Sequence, residues 1–185
     1  MGRAGLPIVT GTGLLLVVLL FGGCGEENPT PVASPELMEM GADQVMTRME
    51  TIITTSGVRE GRVQADTAFL FNDSTTAILR NPTLVLFNEG GVTRATVTAL
   101  HGRLDTTTKE LQAWGEVVLL IHDGNRRVET SELNYDPDRD RIWSDSATVM
   151  REGGRTIRGR SFESDLQFRN ARVLNGSITG GGVRF

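Results

Sequence analysis

Between Val92 and Trp143 the chain repeats its own pattern, and this repeat constrains the fold more than any other feature. Val92–Asp105 is rich in β-branched residues with small or polar ones between them, and the polar turn Thr106–Glu110 follows. In Leu111–Ile121 the residues Leu111, Ala113, Val117, Leu119 and Ile121 share one period-2 phase. His122–Asn125 turns the chain again, and Arg126–Asp136 restarts the pattern. Alternation bounded by Asp-Gly and Thr/Asp-rich turns predicts antiparallel strands joined by hairpins. Leu104-Asp105 followed by Leu111 is answered by Tyr135-Asp136 followed by Ile142, and preceded by Phe71-Asn72 followed by Ile78. An apolar residue with Asp or Asn behind it, a polar turn and an apolar strand thus recur about every thirty residues, a period that marks stacked supersecondary units. Each unit can bury its apolar face only against its neighbours.

The same reading extends both ways. A first strand is expected across Gln44–Thr55, although Glu36–Met49 is the one place where a helix competes. In Val63–Phe71 one face carries Val63, Ala65, Thr67, Phe69 and Phe71. Thr76–Leu79 is a strand, Asn81-Pro82 a break, Thr83–Phe87 a strand and Glu89-Gly90-Gly91 a turn. Ala147–Arg151 and Thr156–Phe162 flank the turn Glu152-Gly153-Gly154, with Gly159 as a bulge. Leu166–Leu174 reads as a strand, Asn175-Gly176 as a hairpin turn and Ser177–Phe185 as the closing strand. The result is an all-β chain of roughly eleven or twelve strands with no helix.

Residues 1–23 read as a targeting segment: Arg3, the apolar run Leu14–Phe21, then Gly22, Gly23 and Cys24. A small residue before cysteine resembles a bacterial lipobox, in which the Cys24 thiol is lipidated and becomes the mature N-terminus. The alternative is an uncleaved anchor over Leu6–Gly23, which carries no charge. Either way the remainder lies beyond a cytoplasmic membrane. Gly25–Pro35 reads as a tether, so residues 24–41 form a lipidated, flexible lead and 42–185 the folded domain.

Composition removes several function classes. With 19 Lys+Arg against 23 Asp+Glu there is no polybasic footprint for nucleic acid. A single cysteine permits no intrachain disulfide and no cysteine-rich metal site. His101 and His122 lack an evident metal partner. Asp136, Asp138 and Asp140 begin like a calcium loop, but Arg141 stands where glycine is needed and Ala147 where glutamate is needed. No catalytic arrangement stands out, so neither an enzyme nor a cofactor is expected.

Several segments together resemble one family: Ala65–Asn72 (A-D-T-A-F-L-F-N), Leu111–Val117 (L-Q-A-W-G-E-V), Asp123-Gly124, Val128–Asp136 (V-E-T-S-E-L-N-Y-D) and Arg155–Asp165 (R-T-I-R-G-R-S-F-E-S-D). Preceded by one membrane segment and a tether, they resemble the periplasmic LPS-export LptC family and the wider OstA-like β-jellyroll group. The resemblance implies a twisted, partly open β-jellyroll of antiparallel strands with an apolar interior groove. It also implies an inner-membrane location on the periplasmic side. There lipopolysaccharide would pass from an inner-membrane ABC transporter to a periplasmic jellyroll bridge protein. Many members keep a transmembrane helix, where this chain has Cys24. Strand phase assigns the groove to Val63, Ala65, Phe69, Phe71, Leu111, Val117, Leu119 and Ile121. The competing reading is a structural or assembly lipoprotein, a β-sandwich with a fully packed interior.

Overall fold

The computed structural model describes residues 41–55 and 57–180. The apolar run Leu14–Phe21, Cys24 and the Gly25–Pro35 stretch lie outside the described residues. The described strands are β1 (Gln44–Thr55), β2 (Val58–Leu70), β3 (Thr76–Arg80), β4 (Thr83–Phe87), β5 (Thr93–Thr98), β6 (His101–Asp105) and β7 (Leu111–Ile121). They continue as β8 (Arg126–Asp136), β9 (Arg141–Ser144), β10 (Thr148–Glu152), β11 (Arg155–Gly159), β12 (Ser161–Ser164), β13 (Arg172–Leu174) and β14 (Ser177–Thr179). The only helical element among the described residues is a 3-10 turn at Asp123–Asn125.

All of these strands belong to one 14-stranded sheet, but its construction is simpler than that number suggests. β3 and β4 are one long strand interrupted once, as are β5 with β6, β9 with β10, β11 with β12, and β13 with β14. β3 and β4 lie end to end along β2, and β6 and β5 along β7. The chain is therefore a meander of long antiparallel strands, each paired with its predecessor and its successor.

The interruptions fall on one line. Asn81 N–H donates to Leu100 O at 2.9 Å, and Leu100 N–H donates to Gly115 O at 2.9 Å, so pairing continues through the breaks. Along the line the backbone turns left-handed at Arg48 (φ 54), Asn81 (φ 49), Gly115 (φ 78), Glu116 (φ 51) and Asn175 (φ 50). In β7 the same line is a bulge between Trp114 and Val117, and bulges bend and twist a strand. The sheet is thus creased across its strands into two half-sheets. One holds β3, β6, β9, β12 and β13; the other holds β4, β5, β10, β11 and β14. β1, β2, β7 and β8 run through both.

Folding along the crease puts the two inner faces together. In the second half-sheet a row of cross-strand partners runs Val63, Leu84, Val97, Leu119, Val128, Met150 and Ile157. In the first a row runs Leu70, Ala77, Leu104, Leu111, Tyr135 and Ile142. Members of both rows belong to one buried cluster. A fully buried Val, Leu or Ile contributes about 1.5–3 kcal/mol relative to exposure, so these rows dominate the stability of the fold.

The crease also shifts the phase of alternation by one residue. In β2 the inward positions are Val63 and Ala65 before it, then Ala68 and Leu70 after it. Phe69 therefore does not share a face with Val63, contrary to simple alternation. It is paired with Ile78, whose partner Arg103 is exposed and pairs with exposed Gln112. Phe71 lies beyond the end of β2 and is only half-buried.

The C-terminal region departs from expectation in three further places. Thr156–Phe162 is interrupted at Arg160, and only Arg172–Leu174 of the expected strand Leu166–Leu174 is extended. Asn175-Gly176 is not a hairpin turn, because β13 pairs with β12 while β14 pairs with β11. The hairpin turn of this last ribbon is the 165–171 loop, and Asn175-Gly176 is its bend on the crease. Gly176 is needed there because a Cβ would lie 2.7 Å from Arg158 O. An Asn-Gly pair favours a positive φ, which Asn175 adopts at 50°, and a bend uses it as readily as a turn.

Candidate functional site

Of the residues assigned to a groove, Val63, Ala65, Leu111, Val117, Leu119 and Ile121 lie in the buried cluster between the half-sheets. Phe69 is buried but outside that cluster, and Phe71 is not packed against it. The row through Val63 and Leu119 crosses the second half-sheet from β1, where Thr51 pairs with Val63, to β14, where Ile178 pairs with Ile157. At the two ends of the inner face the apolar surface comes into the open: Met46, paired with Ala68, is 46% exposed and Ile178 is 65% exposed. Among the described residues the strands carrying these side chains are sheet edges, since β1 pairs only with β2 and β14 only with β11.

Away from the crease the strand ends of the two half-sheets form a mouth. A cavity of about 420 Å³ lies there, lined from the second half-sheet by Val58, Arg59, Glu60, Leu86, Phe87 and Arg94. Tyr135, Pro137 and Asp140 line it from the first half-sheet, and Leu166, Gln167 and Arg169 from the 165–171 loop. Arg59 stacks its guanidinium over the Phe87 ring, 4.5 Å from the centroid, which places a cation on an apolar wall.

The 165–171 loop holds the mouth together. Arg94 donates to Leu166 O at 3.2 Å and also to the Gln167 side chain, and Arg126 donates to Phe168 O at 3.0 Å. Leu166 N–H donates to Asp140 Oδ1 at 3.2 Å. Phe168, itself left-handed at φ 55, drives its ring into the core and is 2% exposed. Two arginines from the second half-sheet thus cap carbonyls of a loop that belongs to the first.

Tyr135 is the polar exception inside the mouth. It is 2% exposed, sits in the inner row between Leu111 and Ile142, and its hydroxyl has no hydrogen-bond partner among the described residues. Burial first, then the carboxylates of Glu60, Asp136 and Asp138, push the phenol's pKa far above its ordinary value. The group is therefore a permanent donor. Nothing in the sequence distinguished Tyr135 beyond its place as the apolar member of a repeat. Arg94, Arg126 and Phe168 carried no signal, because their partners are distant in the chain.

The residues weighed for chemistry have structural partners. His101 Nδ1 lies 3.1 Å from Arg80 Nη1, its ring is 5.9 Å from that of Trp114, and His122 Nε2 lies 3.4 Å from Thr96 Oγ1. Asp136 Oδ1 accepts Arg139 N–H at 3.0 Å, capping a turn. Among the described residues no group of three or more His, Cys, Asp or Glu is placed to hold a metal ion, and no helix is long and apolar enough to cross a membrane.

Residues 13–179 match the family described as LptC: Lipopolysaccharide-assembly, LptC-related. The fold is similar to that of LptH from Pseudomonas aeruginosa, the LptA-homologous periplasmic component of a lipopolysaccharide transport device. The TM-score is 0.51 at 14% identity, covering 66% of this chain and 95% of that one. The likeness establishes the β-jellyroll. No curated protein matches the sequence at a significant level.

Proposed function

The chain belongs to the LptC-related family of lipopolysaccharide-assembly proteins, and from that membership we propose that it receives lipopolysaccharide from an inner-membrane ABC transporter and passes it to a periplasmic jellyroll bridge. Residues 1–23 direct the chain to the membrane, Cys24 carries the anchor, 24–41 form the tether and 42–185 the jellyroll. The acyl chains travel along the inner apolar row, and the sugar head stays outside. One observation carries this reading: the row through Val63, Leu119 and Met150 is apolar on every strand from β2 to β14, where it ends in exposed Ile178. Each buried methylene is worth about 0.8 kcal/mol, so acyl chains are held there without any catalytic group. Open edges β1 and β14 suit addition of a strand from another jellyroll.

A second reading, a structural sandwich lipoprotein, draws on the completeness of the packing, since Val63, Val128 and Ile142 are 0% exposed. On the transport reading that interior opens when acyl chains enter. Photo-crosslinkers at Val63 and Leu119 then capture lipopolysaccharide, while those at Gln64 and Gln112 on the outer face do not. Equal capture from both faces, or detergent-free native mass spectra without retained lipid, would favour the sandwich.

A further inference from the structure

Resting on the transport reading, we propose that the Tyr135 hydroxyl is a specificity contact that binds the neutral carbonyl of an acyl ester or amide where the lipid's chains meet its sugar head. The cavity at the mouth brings Tyr135, a member of the buried cluster, to an opening; Tyr135 also borders a second cavity, of about 480 Å³, shared with Gln112, Asn134 and Trp143. Its neighbours in the inner row are Leu111 and Ile142, so chains lying along the row would pass directly beside it. Leu86 and Phe87 line the same cavity from the facing half-sheet. The hydroxyl is buried and lacks an acceptor among the described residues, and a buried donor without a partner is destabilising until a ligand supplies one.

The surroundings select the kind of acceptor. Glu60, Asp136 and Asp138 all act on the phenol, and Glu60 comes from the opposite half-sheet and lines the cavity. Arg59, Arg94 and Arg169 line the same cavity, so a phosphate is drawn to the arginines, while the carboxylates around the phenol leave a neutral oxygen favoured at the hydroxyl itself. A carbonyl at the acyl linkage meets this requirement, and its position is fixed: chains inward, sugar outward. The contact would therefore set how far the lipid enters.

Full-length protein would be titrated with a monosaccharide lipid A analogue bearing ester- and amide-linked chains, and with its ether-linked counterpart, which lacks the carbonyls. Wild type is expected to bind the carbonyl form roughly fivefold more tightly, the scale of one hydrogen bond. Tyr135→Phe keeps the ring, so its melting temperature should be unchanged or higher while the preference disappears. If wild type binds both analogues equally, or if Tyr135→Phe retains the preference, the contact is refuted while lipid binding stands. If wild type binds neither analogue, the transport reading falls and this inference with it.

Discussion

Arg160 N–H donates to Leu174 O at 3.0 Å, joining the two bends of the last ribbon at the crease. Gly159 sits beside that bond with no room for a side chain: a Cβ there would fall well inside the contact distance of Leu174 O and Val173 Cγ1. One obstacle is backbone and the other a side chain packed against the core, so neither yields easily. Gly159→Ala should cost about 1–3 kcal/mol, the usual range for overpacking. Gly153→Ala meets no atom and should lose only what its left-handed φ of 52 requires. Urea midpoints of the two variants would compare them directly. A smaller loss for Gly159→Ala than for Gly153→Ala would mean the bend is not tightly packed.

Phe168 tests the closure of the mouth. Replacing a buried Phe by Ala generally costs about 3–5 kcal/mol. At φ 55, however, Ala also keeps a Cβ in a strained backbone region, which Gly avoids. Phe168→Gly should therefore be no less stable than Phe168→Ala, reversing the usual order, and Phe168→Leu should retain most of the stability. Thermal melts of the three variants measure the ranking. A loop that is merely draped over the surface would show losses under 1 kcal/mol throughout.

Much of this architecture was legible in the sequence, and the parts that were not share one cause. The apolar–acidic pairs mark strand ends because their carboxylates cap turns: Asp105 accepts Thr107 and Thr108 N–H, and Asp136 accepts Arg139 N–H. A local signal served a local structure. The crease is different. It is a non-local line assembled from residues as unlike as Arg48, Asn81 and Glu116, and it shifts the inward phase without changing hydrophobicity. That shift misplaces Phe69. It also made the bend at Asn175-Gly176 look like a turn. The mouth was illegible for the same reason, since Tyr135 and Arg94 come to line one cavity only after the sheet folds on itself.

Acid sensitivity follows from the turn caps. Asp105 is held below the usual carboxylate range, chiefly by Thr108 N–H, then by the Thr75 hydroxyl and Thr107 N–H. The Arg172 guanidinium holds Glu163 down, and Arg127 followed by Arg151 does the same for Glu129. A carboxylate with a depressed folded-state pKa contributes stability above its unfolded value of about 4, and that contribution is lost as pH falls through the folded value. Stability should therefore be flat near neutrality and decline below about pH 4. Asp105→Asn should be less stable at pH 7 and decline less on acidification. Parallel acid profiles for wild type and variant would remove Asp105 from the account.

On the transport reading, the β14 edge separates fold from the proposed handover. Ser177–Thr179 pairs with the sheet through Thr156–Arg158, and all three of its residues are exposed. Nothing in the core cluster belongs to it. Its removal exposes the next edge, β11, without opening the interior rows. Truncation before Ser177 should lower the melting temperature by less than about 4 °C, the shift that roughly 1 kcal/mol produces in a domain of this size. Lipid loading should persist, because the inner row from Val63 to Ile157 remains complete. Transfer to a bridge jellyroll should fail, since the edge strand that ends the apolar row and offers free backbone groups is gone. Melting, lipid retention and a two-protein transfer assay read these three outcomes separately. Undiminished transfer by the truncated protein would move the handover to the β1 edge, where Met46 also brings the apolar inner face to the surface.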